Sequence, residues 1–171
     1  TDINSPLVEE QVRKSDLPIY LFTGGGIVKR PLFATGKKFI HVHPGTVPAF
    51  RGSTCFYYSI LENMTLGSTA FFMEEKIDTG EIMAKSSFSI NYHIAPDQPL
   101  FVDYVLDPFI RAYTLKKVIA NLLADKTLRT EPQPAADRPA FYVMHPFLRH
   151  IAIKKINQRF DTNERIGIFE L

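Results

Sequence analysis

The chain has no tryptophan, a single cysteine and a formal net charge of only +2 over its 171 residues. One cysteine, Cys55, excludes an intrachain disulfide framework and a cysteine-rich zinc module. No apolar run approaches the ~20 residues that a membrane-spanning helix needs. The opening stretch TDINSPLVEEQ lacks the charged-then-apolar layout of a signal peptide, so a reducing, cytoplasmic location is the default expectation. The weak charge argues against a nucleic-acid surface. Its mild basic excess lies near the C-terminus, in Lys154, Lys155, Arg159 and Arg165, where a solvated helix face accounts for it as well as a partner does. What remains is a composition of 45% hydrophobic and 22% charged residues, at the length of roughly one domain. That is enough apolar material for a real core.

The pattern along the chain alternates helices and strands. Ser5-Pro6 opens a helix, with Ser as N-cap and Pro in the first turn, that runs to about Ser15. The apolar run 18–23, closed by Gly24-Gly25-Gly26, reads as a buried strand and a tight turn. A short helical connection over 28–35 leads to a second strand, 39–43, stopped by Pro44-Gly45. A helix over 53–63 and strands at 69–73 and 82–90 follow. Pro96 to Pro99 marks a boundary, and an apolar stripe from Phe109 to Leu123 lies on a helix that Pro108 kinks or splits. That stripe is core or an oligomer interface. A last short strand is expected at 140–144 and a basic amphipathic helix at 146–158. Two early strands joined through a helix predict a parallel α/β arrangement, and the pair 69–73 and 82–90 predicts an antiparallel hairpin.

The segment His41-Val42-His43-Pro44-Gly45 is the most informative chemically. On a strand, positions i and i+2 point to one face, so both imidazoles project together at the carboxyl end of a strand, where open α/β sheets place ligands. Each disfavours protonation of the other, which keeps a neutral base available near pH 7. Two histidines satisfied at a strand end are the plainer alternative. Asp78, in Ile77-Asp78-Thr79-Gly80, can orient a histidine or simply serve its turn. A His-x-His pair also begins many zinc sites, but Asp78, His93, His145 and His150 stand in no recognisable ligand spacing, and no metal is assigned. Cys55 reads as a small buried residue.

Taken together, His41-Val-His-Pro-Gly-Thr-Val-Pro-Ala-Phe-Arg-Gly52 and Gly67-Ser-Thr-Ala-Phe-Phe-Met-Glu-Glu-Lys-Ile-Asp-Thr-Gly-Glu-Ile82 resemble the catalytic core of the folate-dependent formyltransferases, over about residues 18–90. The resemblance implies a Rossmann-type sheet, mainly parallel with an antiparallel hairpin, without the family's N-terminal strands. It implies a catalytic core over 1–130 with a C-terminal extension, 131–171. The reaction implied is transfer of a formyl group from 10-formyltetrahydrofolate to the amine of a small acceptor such as an amino sugar. His43 and Asp78 match the family histidine and aspartate, while His41 stands where the family has Asn. In these roles His43 manages the proton, Asp78 holds His43, and His41 stabilises the oxyanion. Gly25, Gly26, Ile27 and Val28 fall where the family lays backbone against the pterin. Arg51 suits an anion on the acceptor or folate, and Tyr57 could border the acceptor pocket. The His at the Asn position keeps a second reading open, a catalytically inactive binding module, and a metal-dependent hydrolase is a third.

Overall fold

The computed structural model describes residues 2–24, 26–95, 97–98 and 100–171. Helix α1, Pro6–Lys14, starts behind Ser5 and carries Glu9 in its first turn and Arg13 and Lys14 in its last, which complements the helix dipole. The pairs Glu9–Arg13 and Glu10–Lys14 lock its exposed side at 2.6 and 2.5 Å. Ser5 occupies the cap position without a side-chain capping bond. Strand β1, Ile19–Phe22, leads through the single-turn α2, Arg30–Phe33, to strand β2, Lys38–His43. Val12, Val28, Leu32 and Phe39 form a small core where these elements meet.

Helix α3, Cys55–Asn63, stops at Met64 in the left-handed region, and strand β3, Thr65–Phe72, begins at once. The strand therefore starts four residues before its expected position. Gly67 and Ser68 lie inside the strand and pair across the hairpin with Ser87 and Ser86 of strand β4, Ile82–Asn91. A π-helical turn, Val102–Leu106, runs into α4, Asp107–Asp125, with Pro108 in its first turn. The proline does not split the helix: the backbone stays right-handed helical through Leu106 and Asp107, and what changes before Pro108 is the turn type, since a missing N–H is harmless in a first turn. Helix α5, Pro146–Arg159, and strand β5, Gly167–Glu170, complete the chain.

The sheet runs β1-β2-β3-β4-β5. The α/β class, the parallel β1–β2 pair and the antiparallel β3–β4 hairpin follow the expectation. The balance does not: β2–β3 and β4–β5 are also antiparallel, so parallel pairing is the minority. The connection from β2 to β3 is a return through α3 rather than a crossover, and β5 carries too weak an alternation to be read in advance. The strand expected at 140–144 is a single bridge between Phe141 and Gly52.

Residues 131–171 pack into the body of the molecule. Met144, Ala152 and Ile156 are buried with Phe56, Tyr57, Ile60, Leu66, Phe88 and Ile110 in the main core. Fully burying each of the Met, Ile, Leu and Phe side chains contributes roughly 1.5–3 kcal/mol. On one face of the sheet, Val42 and Ala70 meet Val118 of α4. His41 and His43 point to the other face, opposite Phe71 and Thr69 in the antiparallel register. No helix among the described residues is long and apolar enough to cross a membrane.

Candidate active site

The strand period brings the two imidazoles together as expected, with ring centroids 6.2 Å apart. His43 is 2% exposed. Its Nε2 lies 2.9 Å from the main-chain oxygen of Phe50, which assigns the ring proton to Nε2 and leaves a lone pair on Nδ1. That Nδ1 is 3.5 Å from Oδ2 of Asp78. The turn after His43 must pass under the ring. A Cβ on Gly45 would stand 2.9 Å from His43 Nε2 and collide with the Phe50 carbonyl, so only glycine fits there. Thr69, directly opposite His43, holds this turn: its hydroxyl donates to the Gly45 carbonyl at 2.8 Å and accepts from the Val47 N–H at 3.2 Å.

Asp78 sits in the turn between β3 and β4 with φ +50°. The Gly52 N–H donates to its Oδ2 at 2.6 Å, and Gln133 Nε2 donates to its main-chain oxygen at 3.1 Å. Gly52 itself needs φ +99° and runs against Phe141, leaving no room for a side chain. His41 is half-buried, with Nδ1 3.3 Å from the Phe22 carbonyl and its ring edge-on to Phe71 at 5.8 Å. One ligand atom from each of His41, His43 and Asp78 falls within 4.8 Å of the others. Burial pushes the pKa of both histidines below the ordinary value, against the opposing pull of Asp78 and of the backbone carbonyls. Both rings are therefore neutral near pH 7. Burial, with Asp78 adding to it, pushes the Cys55 thiol up to about 12, so it supplies no thiolate.

Asp78 lines a cavity of about 70 Å³ together with Gly26, Ile27, Val28, Phe71 and Met73. Gly25 lies outside the described residues. The 26–28 segment is fixed by a residue the sequence reading missed: Asn4 donates to the Ile27 carbonyl at 3.0 Å and accepts from the Lys29 N–H at 2.7 Å. Arg51 is placed elsewhere. Its guanidinium donates to the Arg138 carbonyl at 3.0 Å and lines a neighbouring hollow of about 510 Å³ with Thr79, Gly80 and residues 132–136. Glu74 and Lys76 line both spaces.

Tyr57 does not border the cavity. It is 1% exposed in the main core, and its hydroxyl donates to Asp103 Oδ2 at 3.0 Å while Arg149 stacks over its ring at 5.3 Å. A buried phenol with its polar tip already paired has no face left for an acceptor. His145 caps α5 by accepting from the Phe147 N–H at 3.2 Å, and His93 packs edge-on to Phe160. Gly52, Thr69, Asn4 and Gln133 complete the site as positioning residues. Each acts through a partner more than twenty residues away, which no local pattern announces.

Residues 26–98 match the family model described as formyl transferase. A methionyl-tRNA formyltransferase of Chlorobium phaeovibrioides is 26% identical over 92 residues, which are 53% of this chain and 29% of that protein. Among solved structures, a 4-N formyltransferase from Francisella tularensis superposes with TM-score 0.63 at 16% identity, over 86% of this chain and 64% of that one. HypX from Aquifex aeolicus in complex with tetrahydrofolic acid superposes with TM-score 0.59 at 17% identity, over 88% and 27%. The chain thus spans less than two thirds of the length of these relatives. The resemblance to formyltransferases read from the sequence holds, in sequence across the histidine and aspartate motifs and in fold across most of the chain.

Proposed function

We propose, from this likeness to formyltransferases, that the site transfers a formyl group from 10-formyltetrahydrofolate to the amine of a small acceptor, an amino sugar being the best candidate. The observation that carries the reading is the convergence of His41, His43 and Asp78, whose polar atoms lie within 4.8 Å although the motifs are 35 residues apart. The 70 Å³ cavity is well below the roughly 300–1,000 Å³ of pockets that engulf a whole ligand. We assign it to the reacting end of the folate, because Gly26, Ile27, Val28 and Asp78 are among the residues that line it. The co-substrate supplies the activated one-carbon unit.

Asp78, the cavity-lining carboxylate that lies against His43, takes the amine proton as the amine nitrogen bonds to the formyl carbon. His43, buried behind it, presents the Nδ1 lone pair at 3.5 Å and shares that proton, so the pair holds one proton between two acceptors. Collapse of the tetrahedral intermediate breaks the bond from carbon to folate nitrogen, and the pair returns the proton to that nitrogen. The likeness assigns His41 to the formyl oxygen, although His41 is not among the residues that line the 70 Å³ cavity. Its Nδ1–H is directed at the Phe22 carbonyl, so it assists the oxyanion only by turning that N–H away or by gaining a proton, which burial disfavours. An Asn amide would donate without either step. Arg51 and Lys76, lining the adjacent hollow, would hold an anionic group on the acceptor.

The test is to incubate the protein with 10-formyltetrahydrofolate and a panel of amino sugars, following release of tetrahydrofolate. Asp78→Asn should lower turnover at least ~100-fold, and His41→Asn should keep or raise it. Undiminished turnover in Asp78→Asn would refute the proton role. Folate binding with no turnover on any amine would instead favour the inactive binding module, the reading that the spent N–H of His41 supports.

A further inference from the structure

His41, His43 and Asp78 bring together three acceptors and no donor between them. His43 directs Nε2–H at the Phe50 carbonyl, 2.9 Å away, and His41 directs Nδ1–H at the Phe22 carbonyl, 3.3 Å away. Each ring keeps one lone pair, and Asp78 adds a carboxylate oxygen 3.5 Å from His43 Nδ1. Lone pairs gathered in a partly buried space call for a cation between them. The outer arrangement is the one that metal-binding histidines use, in which the far ring N–H donates to a backbone carbonyl and thereby fixes the tautomer. The Oδ2 of Asp78 that lies near His43 also accepts the Gly52 N–H at 2.6 Å, which holds the carboxylate in place.

We infer that His41, His43 and Asp78 form a three-ligand site for a divalent transition-metal ion of the zinc class. Neutral imidazole and carboxylate are the donors such ions take, and three protein ligands leave one position open. Bonds of about 2.0–2.1 Å set neighbouring ligand atoms ~3.3 Å apart in a tetrahedron. The His43–Asp78 separation of 3.5 Å already matches. The His41 nitrogen closes from at most 4.8 Å, a movement open to a half-buried ring held by one hydrogen bond. Asp78 also lines the neighbouring cavity, and an ion held with one position open would polarise a carbonyl oxygen that reached it. The histidine replacing the family's Asn is what creates the third ligand. The inference does not rest on formyl transfer, and its test is made without folate.

Protein stripped with a chelator, dialysed and titrated calorimetrically with Zn²⁺ should bind one ion per chain. His41→Asn and Asp78→Asn should each weaken binding at least ~tenfold, since losing even an outer-shell partner costs 10–100-fold. Both replacements are close in size and both variants are checked by thermal unfolding in chelator. His93→Ala and His150→Ala should bind as the parent does. Absence of one-to-one binding in the parent, or unchanged affinity in folded His41→Asn and Asp78→Asn, would overturn the assignment.

Discussion

Replacing Thr69 by Val probes the scaffold of the site at its most enclosed point. The two side chains have nearly the same shape and Thr69 has no exposed surface, so the change leaves little cavity and removes only the hydroxyl. That hydroxyl bonds the Gly45 carbonyl and the Val47 N–H, and Gly45 and Val47 are themselves buried. Leaving a buried backbone group unpaired costs about 1–3 kcal/mol. Two such groups, with partial relaxation of the turn, come to about 2–4 kcal/mol. With a urea m-value near 2 kcal/mol per molar, the unfolding midpoint should fall by about 1–2 M. Thr69→Ser keeps the hydroxyl and loses one methyl, so it should fall by about half as much or less. Equilibrium unfolding in urea, followed by circular dichroism, reads both. A Thr69→Val midpoint within ~0.3 M of the parent would show that the turn after His43 does not depend on these bonds. The same variant should lower formyl transfer, because the Gly45 turn sets the position of the His43 ring.

Further outcomes follow from the buried groups. Burial lowers the pKa of His41 and His43 below 6.5, so between those lowered values and 6.5 the unfolded chain binds more protons than the folded one. The stability of the metal-free protein should be fully present above pH 6.5 and fall as the pH drops below it, by up to about 1.4 kcal/mol per pH unit for each histidine. Urea midpoints measured from pH 7.5 to 5.5 test this, and a flat profile would contradict neutral, buried rings. Asn157 clamps Ile94 from α5, donating to its carbonyl and accepting from its N–H, both at 2.8 Å. Asn157→Ala should therefore destabilise the fold by about 1–3 kcal/mol, and a change under ~0.5 kcal/mol would refute that role.

The pairing of His41 with His43 was legible because a period of two needs only a strand, and the strand was plain. Asp78 was legible through its motif alone. Its placement depends on the Gly52 amide and on Gln133, contacts 26 and 55 residues distant, which no local pattern encodes. Tyr57 misled for a related reason. A tyrosine next to a second tyrosine on a helix beside the site looks available, and only the fold reveals Asp103, 46 residues on, taking its hydroxyl. Arg51 is likewise drawn to Arg138, 87 residues away. The antiparallel majority of the sheet escaped reading because β5 is four residues long and the β2–β3 return shares its outline with a crossover.

The bridges made by the stretch from Glu131 to Phe141 tie the far end of the chain to the acid. Glu131 and Ile82 exchange two bonds of 2.8 Å at the start of β4, and Phe141 bonds Arg51 and Ser53 at 2.7 and 2.9 Å on either side of Gly52. The turn bearing Asp78 is clasped from both flanks by one surface segment. A single nick in that segment, between 134 and 138, would slacken the Gly52 amide and with it the carboxylate, disabling the site through a cut that never touches it.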